Sequence, residues 1–306
     1  MNKLYTAQEV ADRLKIRKTT VYELIKRGEL ASSKIGKQLR VSEEQLAQYL
    51  MGSEPAHLPV QPSAFPPESS LLKRDYLLHS NGILLCGQNT PALDYLLGKI
   101  AAHSGALPIL HSHMNSYNSL YALYFKKAHI AAASLKPEDI ICLIPGEKLI
   151  LLRLYDYPLG FYVQKGNPLD IRVLSDLSEK NIRFLNRERG SSRRIWFDRH
   201  LKASGISAAS INGYTSEAIS DMASAAAVAS GSVDAALGEA FISRYYPNTE
   251  FLSLDIHTMY LVFPAEMMNN PAYSILLNLV CSQEFREKLH NFSGYDVTHV
   301  GELSEI

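Results

Sequence analysis

Cysteine is scarce: three in 306 residues, Cys86, Cys142 and Cys281, far apart and in apolar surroundings. An odd count argues against a disulfide framework, and no spacing among them suits a metal site. Each is expected to be a buried thiol that packs as a small apolar group. Long apolar runs are absent too. No stretch reaches the length of a membrane span, and Glu9 and Asp12 interrupt any signal-peptide pattern at the start, so a cytosolic chain without membrane contact is expected. Signatures of catalysis are equally missing: there is no G-x-S-x-G, P-loop or Rossmann fingerprint. The ten histidines are scattered, and the nearest pair, His111 and His113, has strand spacing without a third ligand. The expectation is a non-enzyme with no catalytic residue, metal or cofactor. Net charge is zero overall, 31 cationic against 31 acidic residues, which leaves any charge signal to its distribution.

The positive features begin at the first helix. Thr6 and Glu9 have capping-box spacing, and Val10, Ala11 and Leu14 follow at helical intervals. After the short turn Lys15-Ile16-Arg17, a second helix is expected from about Lys18 to Arg27, stopped by Gly28. That is helix-turn-helix spacing. Leu30 to Val41 contains two short runs flanking Ile35-Gly36-Lys37-Gln38, a hairpin or wing, and Ser42 to Gln45 forms another capping box before a third helix through Leu46, Tyr49 and Leu50. Residues 1–50 carry ten Lys or Arg against six acids, a local charge of +4 that suits phosphate contacts.

The order helix, helix, basic hairpin, helix resembles the excisionase-type, MerR-related winged helix-turn-helix family. The resemblance rests on Tyr5 to Ala11, Thr19 to Leu30 and Lys34 to Val41. It implies a double-stranded DNA partner. Arg17, Lys18, Thr19, Thr20 and Tyr22 are the candidates for groove contacts at the start of the second helix, and Lys34, Lys37 and Arg40 for the wing and phosphates. Each alone reads equally as an ordinary solvated charge, and Tyr22 equally as a core residue. One head buries little DNA, so a homodimer is expected.

Between residues 51 and 70 fall Pro55, Pro59, Pro62, Pro66 and Pro67, the composition of a semi-extended linker. From Leu71 onward short apolar runs alternate with helical stretches. Gly82–Gly87 reads as a buried strand, Thr90–Leu97 as a helix with Pro91 in its first turn, Pro108–Ser112 as a second strand, and His129–Ala132 as a third after a helix from near Ser116. Such alternation implies a mostly parallel sheet, with ligands held where strand ends meet helix N-termini. Gln88-Asn89-Thr90, Asn115-Ser116-Tyr117 and Gly190-Ser191-Ser192 are three such junctions, each equally readable as simple helix capping.

Phe184 to Arg194 is similar to the N-R-x-x-G-S-G-T-R signature of periplasmic-binding-protein-like domains fused to helix-turn-helix regulators. Further matches are Gly87 to Asp94, Tyr162 to Pro168, Ala223 to Gly238, Ser282 to Arg286 and Gly294 to Asp296. The resemblance implies a bilobed α/β domain of the type II class over residues 71–306, with a second lobe at about 158–257 and hinge strands near 154–161 and 254–263. The whole fold expectation is therefore α+β and multidomain, a winged helix-turn-helix followed by a solute-binding domain. Asn89, Thr90, Ser116, Tyr117, Gly190, Ser191, Ser192, Arg193 and Arg194 become candidate ligand residues. Where the signature has Gly-Thr-Arg the chain has Ser192-Arg193-Arg194. The extra Arg193 offers either a second charged fork or a solvent-exposed cation. Asp221 would oppose an anion nearby.

The expected function is a ligand-responsive transcription regulator that senses a small polar or anionic solute, with a molybdate- or tungstate-type oxyanion as the first candidate. Two other readings remain: an architectural DNA binder whose large domain is a dimerisation scaffold, and a small-molecule enzyme with a DNA-binding head, since fold alone does not exclude chemistry.

Overall fold

A computed structural model describes residues 4–26, 30–35, 38–50, 82–103, 108–292 and 294–306. The chain divides near residue 65 into two compact units. The expected linker, 51–70, lies outside the described residues, as do Gly28 and Lys37.

The N-terminal unit is built on capping. Strand β1 (Leu4–Thr6) leads into helix α1 (Ala7–Leu14), where Thr6 Oγ1 accepts from the Glu9 N–H at 3.2 Å and Glu9 Oε2 accepts from the Thr6 N–H at 2.7 Å. Lys15, at φ 55°, ends α1 in a left-handed turn, and α2 follows at Lys18–Lys26. Strands β2 (Ser33–Ile35) and β3 (Gln38–Ser42) pair antiparallel as the wing. Helix α3 (Glu43–Leu50) starts on a second reciprocal cap, Ser42 with Gln45. Strand β1 completes a three-stranded sheet in the order β1-β3-β2, an element absent from the expected helix, helix, hairpin, helix order. Its Tyr5 is buried in a core with Val10, Val21, Leu24, Leu30, Val41 and Leu46. Thr6→Ala should remove one cap at a cost of about 1 kcal/mol. A lower urea midpoint for unfolding of this unit would show it.

The C-terminal unit is one continuous mixed sheet with helices on both faces. Its first part alternates β4 (Ile83–Gly87), α4 (Pro91–Ala102), β5 (Ile109–His113), α5 (Ser116–Tyr124), β6 (Ile130–Ala133) and α6 (Pro137–Leu143). Strand β4 lies between β5 and β6 and is parallel to both, as short apolar strands joined by helices dictate. The sixteen-residue β7 (Leu149–Gln164) then crosses into a second lobe. That lobe holds α7 (Asp176–Glu179), β8 (Phe184–Arg187), α8 (Ser192–Ala203), β9 (Glu217–Ala218), α9 (Asp221–Ala229) and β10 (Ala235–Glu239). The equally long β11 (Thr249–Pro264) returns antiparallel to β7, with register shifts at Ser253/Asp255 and Met259/Tyr260. Helices α10 (Pro271–Val280) and α11 (Gln283–His290) and strand β12 (Leu303–Glu305) complete the first lobe. The strand order is β5-β4-β6-β11-β7-β10-β8-β9, with β12 on β7.

This is the bilobed α/β architecture of the type II class. A cluster around Phe161, Phe184 and Phe197 fills the second lobe beneath α8. The larger core, which includes Leu85, Leu96, Leu152 and Phe263, packs α4 and α10 on the sheet. Of the cysteines only Cys86, on β4, is buried. Cys142 and Cys281 are exposed, because the outer face of α6 and the end of α10 carry them, so two of the three expected buried thiols are surface thiols. Among the described residues no helix is long and apolar enough to cross a membrane.

Candidate functional site

The candidate DNA-contact residues of the second helix form one exposed edge. Val21 and Leu24 bury the inner face of α2, which turns Arg17, Lys18 and Thr19 outward, and Tyr22 is 46% exposed, a surface residue and not a core one. Thr20 is half-buried beside them. Arg40 lies on β3 opposite Ser33, and the backbone of Lys34 pairs with Leu39 in the same hairpin. The Lys34 side chain and all of Lys37 fall outside the described residues.

In the C-terminal unit the C-terminal ends of the parallel strands and the N-termini of α4, α5, α8 and α9 converge between the lobes, as in other doubly wound sheets. The lobes are in contact. Asn115 Nδ2 donates to the Arg189 carbonyl at 3.1 Å, and the Tyr117 N–H donates to the Gly190 carbonyl at 3.1 Å. Gly190 is at φ +88°, and a Cβ there would stand 2.8 Å from Asn115 Oδ1, so glycine is what permits this approach.

At the centre is Arg193, which stands where the family signature has Thr, and it is 1% exposed. Its Nη1 donates to Gln88 Oε1 across the cleft at 2.7 Å and to Ser192 Oγ at 3.1 Å. Its Nη2 donates to Asp221 Oδ2 at 2.8 Å and to Glu239 Oε2 at 3.3 Å. The guanidinium carbon lies 5.2 Å from the centre of the Tyr157 ring. Arg187, equally buried, ion-pairs with the other oxygen of Asp221 and with Glu188. Asp221 thus bridges two arginines instead of standing alone against an anion. Tyr295 donates to Glu239 Oε1 at 3.2 Å. Among the described residues four buried side-chain donors make no hydrogen bond: Arg193 Nε and Ser191 Oγ, with Tyr155 Oη and Ser224 Oγ. Ser191 is the N-cap of α8, yet its hydroxyl does not cap the helix.

A cavity of about 290 Å³ opens beside Arg193, lined also by Asn89, Thr90, His113, Arg187, Ser220 and Glu239. A second interlobe cavity of about 250 Å³ is lined by Ser192, the hydroxyl that Arg193 holds, with Ser134, Lys136, Trp196 and His257.

The remaining candidates divide. Asn89 and Thr90 reach the first cavity, although Thr90 Oγ1 also caps α4 by accepting from the Leu93 N–H. Ser116 is buried with its hydroxyl accepting from the Ser134 N–H at 3.1 Å, which ties α5 to the end of β6. Tyr117 is exposed and contributes its backbone to lobe contact. Arg194 lines neither cavity. Its guanidinium turns into the second lobe, donating to both Asp198 oxygens at 3.0 Å and lying 4.2 Å from the Tyr214 ring centre. Of the two adjacent arginines it is Arg193, not the family-matched Arg194, that enters the cleft. Arg187, Glu239, Tyr157 and Tyr295 were not anticipated. Arg187 and Glu239 were nevertheless findable, as the polar last residues of the short apolar strands β8 and β10. Among the described residues no cluster of three His, Cys, Asp or Glu side chains is placed to hold a metal.

Burial, and then the charge of Asp221, push the Glu239 carboxyl up from its ordinary 4.5 to about 7. Burial works against the Arg193 guanidinium, but Asp221 and the other acids more than offset it and hold Arg193 charged. A carboxyl whose folded pKa lies above its unfolded value binds its proton more tightly in the folded state. Its stabilising contribution is complete below about pH 4.5, declines as pH rises toward 7, and is lost above it. Glu239→Gln should therefore gain stability relative to the wild type between pH 5 and 8, read as a growing difference in melting temperature. A difference that stays flat with pH would show that Glu239 does not titrate in this range.

Residues 97–280 match the PBP superfamily domain, and residues 4–53 match a helix-turn-helix domain. The chain belongs to the PBP superfamily. Over 307 aligned positions it is 29% identical to the uncharacterized protein YvgK of Bacillus subtilis (strain 168), covering 98% of this chain and 97% of that one. An uncharacterized protein in the ferredoxin 2Fe-2S gene 5' region of Clostridium pasteurianum is 33% identical over 109 residues, 36% of this chain and 96% of that one. Among solved structures, Corynebacterium glutamicum OxyR in an H2O2-bound mutant form is similar with a TM-score of 0.52 at 14% identity, covering 94% of this chain and 89% of that one. The effector binding domain of a BenM variant gives 0.52 at 16% identity, covering 71% and 99%. EhuB in complex with hydroxyectoine gives 0.52 at 14%, covering 74% and 93%. These likenesses concern the fold.

Proposed function

We propose that the protein is a ligand-responsive DNA-binding transcription regulator acting inside the cell. A small polar solute held between the lobes sets the affinity or spacing of two helix-turn-helix heads, one from each copy of a homodimer. The observation that carries the reading is the buried, bonded interlobe centre with unsatisfied donors, Arg193 Nε and Ser191 Oγ, joined in one chain to an exposed basic helix edge. Buried polar atoms without partners are rare in folded proteins, and a bound solute is one way to satisfy them.

The charges in the cleft refine the solute. Arg187 and Arg193 face Asp221 and Glu239, so the centre is close to neutral. A bare oxyanion of the molybdate type would meet two carboxylates as well as two guanidiniums. A solute that carries an anionic group and also a cationic or hydrogen-bond-donating group answers both sets. The cleft is read as a binding site without turnover. A solute shifts DNA affinity only by its unequal affinity for two states of the regulator, here open and closed lobes.

The test is a thermal-shift panel of zwitterionic amino acids and betaines, organic acids and oxyanions, with mass spectrometry of anything that copurifies. Zwitterions should raise the melting temperature most, and Ser191→Ala should reduce that rise. No shift from any class would favour the dimerisation-scaffold reading, and chemical conversion of a bound solute would favour the enzyme.

A further inference from the structure

Helix α5 presents an outer face of a kind seldom left to solvent. Its sequence, Ser116 to Tyr124, contains no charged residue. Leu120 and Leu123 point into the core, which leaves Tyr117, Tyr121, Tyr124 and the following Phe125 between 38% and 54% exposed. The rings form one contiguous patch: Tyr117 stacks on Tyr121, Tyr121 meets Phe125 at 4.4 Å between centroids, and Phe125 meets Tyr124 edge-on at 5.1 Å. Depletion of charge with enrichment in aromatics is the compositional mark of an interface centre.

Beside this projection lies a hollow of about 180 Å³ with an apolar lining that includes Leu123, Tyr124, Ile144, Leu149, Met267 and Tyr273. Its charged lining residues are of both signs, Lys126 with Glu147 and Glu266, all exposed. None of the three has an ion-pair partner among the described residues. Projection and hollow share Tyr124, so they adjoin on one surface.

We infer that this face is the contact between two copies of the chain, with Phe125 of each copy seated in the hollow of the other and Lys126 of each meeting Glu147 and Glu266 across the two-fold axis. A two-fold contact is self-complementary: whatever one copy offers, the other must receive. A knob beside a hole, with opposite charges around the hole, meets that requirement on a single patch. A face carrying one sign of charge would repel its own copy. The inference takes the homodimer of the proposed regulator and adds its contact surface. The first turn of the same helix holds the second lobe through the Asn115 and Tyr117 bonds, so lobe closure and the dimer contact lie on one rigid element.

The test uses the full chain without solute or DNA, so it is separate from the solute panel. Sedimentation equilibrium at micromolar concentrations should give a dimer. Phe125→Asp should weaken it by at least about thirtyfold, the effect of losing one interface hot spot. Because Phe125 is a surface residue, unchanged circular dichroism and melting of the unassociated chain should accompany the loss. Lys126→Glu should also weaken the dimer, and adding Glu147→Lys with Glu266→Lys should restore it. Tyr245→Asp, at an exposed aromatic elsewhere, should leave association unchanged. A monomeric wild type, or a dimer indifferent to Phe125→Asp, overturns the inference.

Discussion

Arg193→Met is expected to lower the melting temperature of the C-terminal unit by about 6–20 °C. Removing one member of a buried ion cluster costs roughly 3–5 kcal/mol, and each kcal/mol is worth about 2–4 °C in a domain of this size. The loss arises from what the substitution leaves behind. The buried Glu239 and the half-buried Asp221 would be left with one guanidinium fewer, and Gln88 would lose its partner across the cleft. Two consequences separate this account from a simple loss of packing. Asp221→Asn in the same chain should recover part of the stability, because it removes the carboxylate left without its second arginine. The Arg193 variant should also lose solute-dependent stabilisation even where it remains folded. If Arg193→Met melts within a degree or two of the wild type, the cluster is not what holds the lobes at this centre.

Removing residues 1–50 should abolish sequence-specific DNA binding, a loss of at least about 10³ in affinity, while leaving solute-dependent stabilisation in place. The two units have separate cores, with Val10, Val21 and Leu46 in one and Leu85, Leu152 and Phe263 in the other, so the shortened chain should keep its bilobed fold. Electrophoretic mobility shifts against a selected operator would measure the first effect and thermal shift the second. In the whole chain, Arg17→Ala and Lys18→Ala should each reduce the slope of log affinity against log salt by about 1 if that residue contacts a phosphate. Salt-sensitive, sequence-specific binding retained by the shortened chain would place the DNA contact elsewhere and defeat the assignment.

Structure is legible in the sequence where the chemistry is local. Thr6 with Glu9 and Ser42 with Gln45 announce their helices because a cap is satisfied within three residues. The strand Ile83–Gly87 followed by Pro91 is legible for the same reason, as an apolar run and a proline suited to a first turn. Strand β1 was missed because three residues carry no periodicity, and its pairing with β3 joins residues nearly forty apart. The candidate site was legible as a set of loop-to-helix junctions but not as a charge network. Which of two adjacent arginines enters the cleft depends on the rotation of α8. Arg193 and Arg194 lie about 100° apart around a helix axis, and only the placement of Asp221, Glu239 and Asp198 shows which carboxylates each one meets. Cys142 is exposed on the same ground, since apolar neighbours in sequence do not specify which face of a helix a residue occupies, and Cys281 is exposed in the turn just past α10.

The pairing of β7 with β11 has a mechanical consequence. Strand β6 leaves β11 at Tyr260, β12 leaves β7 at Leu152, and β10 joins β7 only from Leu159 onward. Among the described residues the broad sheet narrows between those points to a ribbon of two strands, with a single bridge from Asp156 to Asp296 at its side. The register shifts at Ser253/Asp255 and Met259/Tyr260 fall at the two ends of this waist. Two-stranded ribbons twist more than wide sheets, and bulges increase local twist. Torsional compliance is therefore concentrated in a few residue pairs. The lobes should turn about that waist as stiff plates, and a substitution at Pro158, which lines neither cavity, should change how far they turn while leaving the cleft side chains in place.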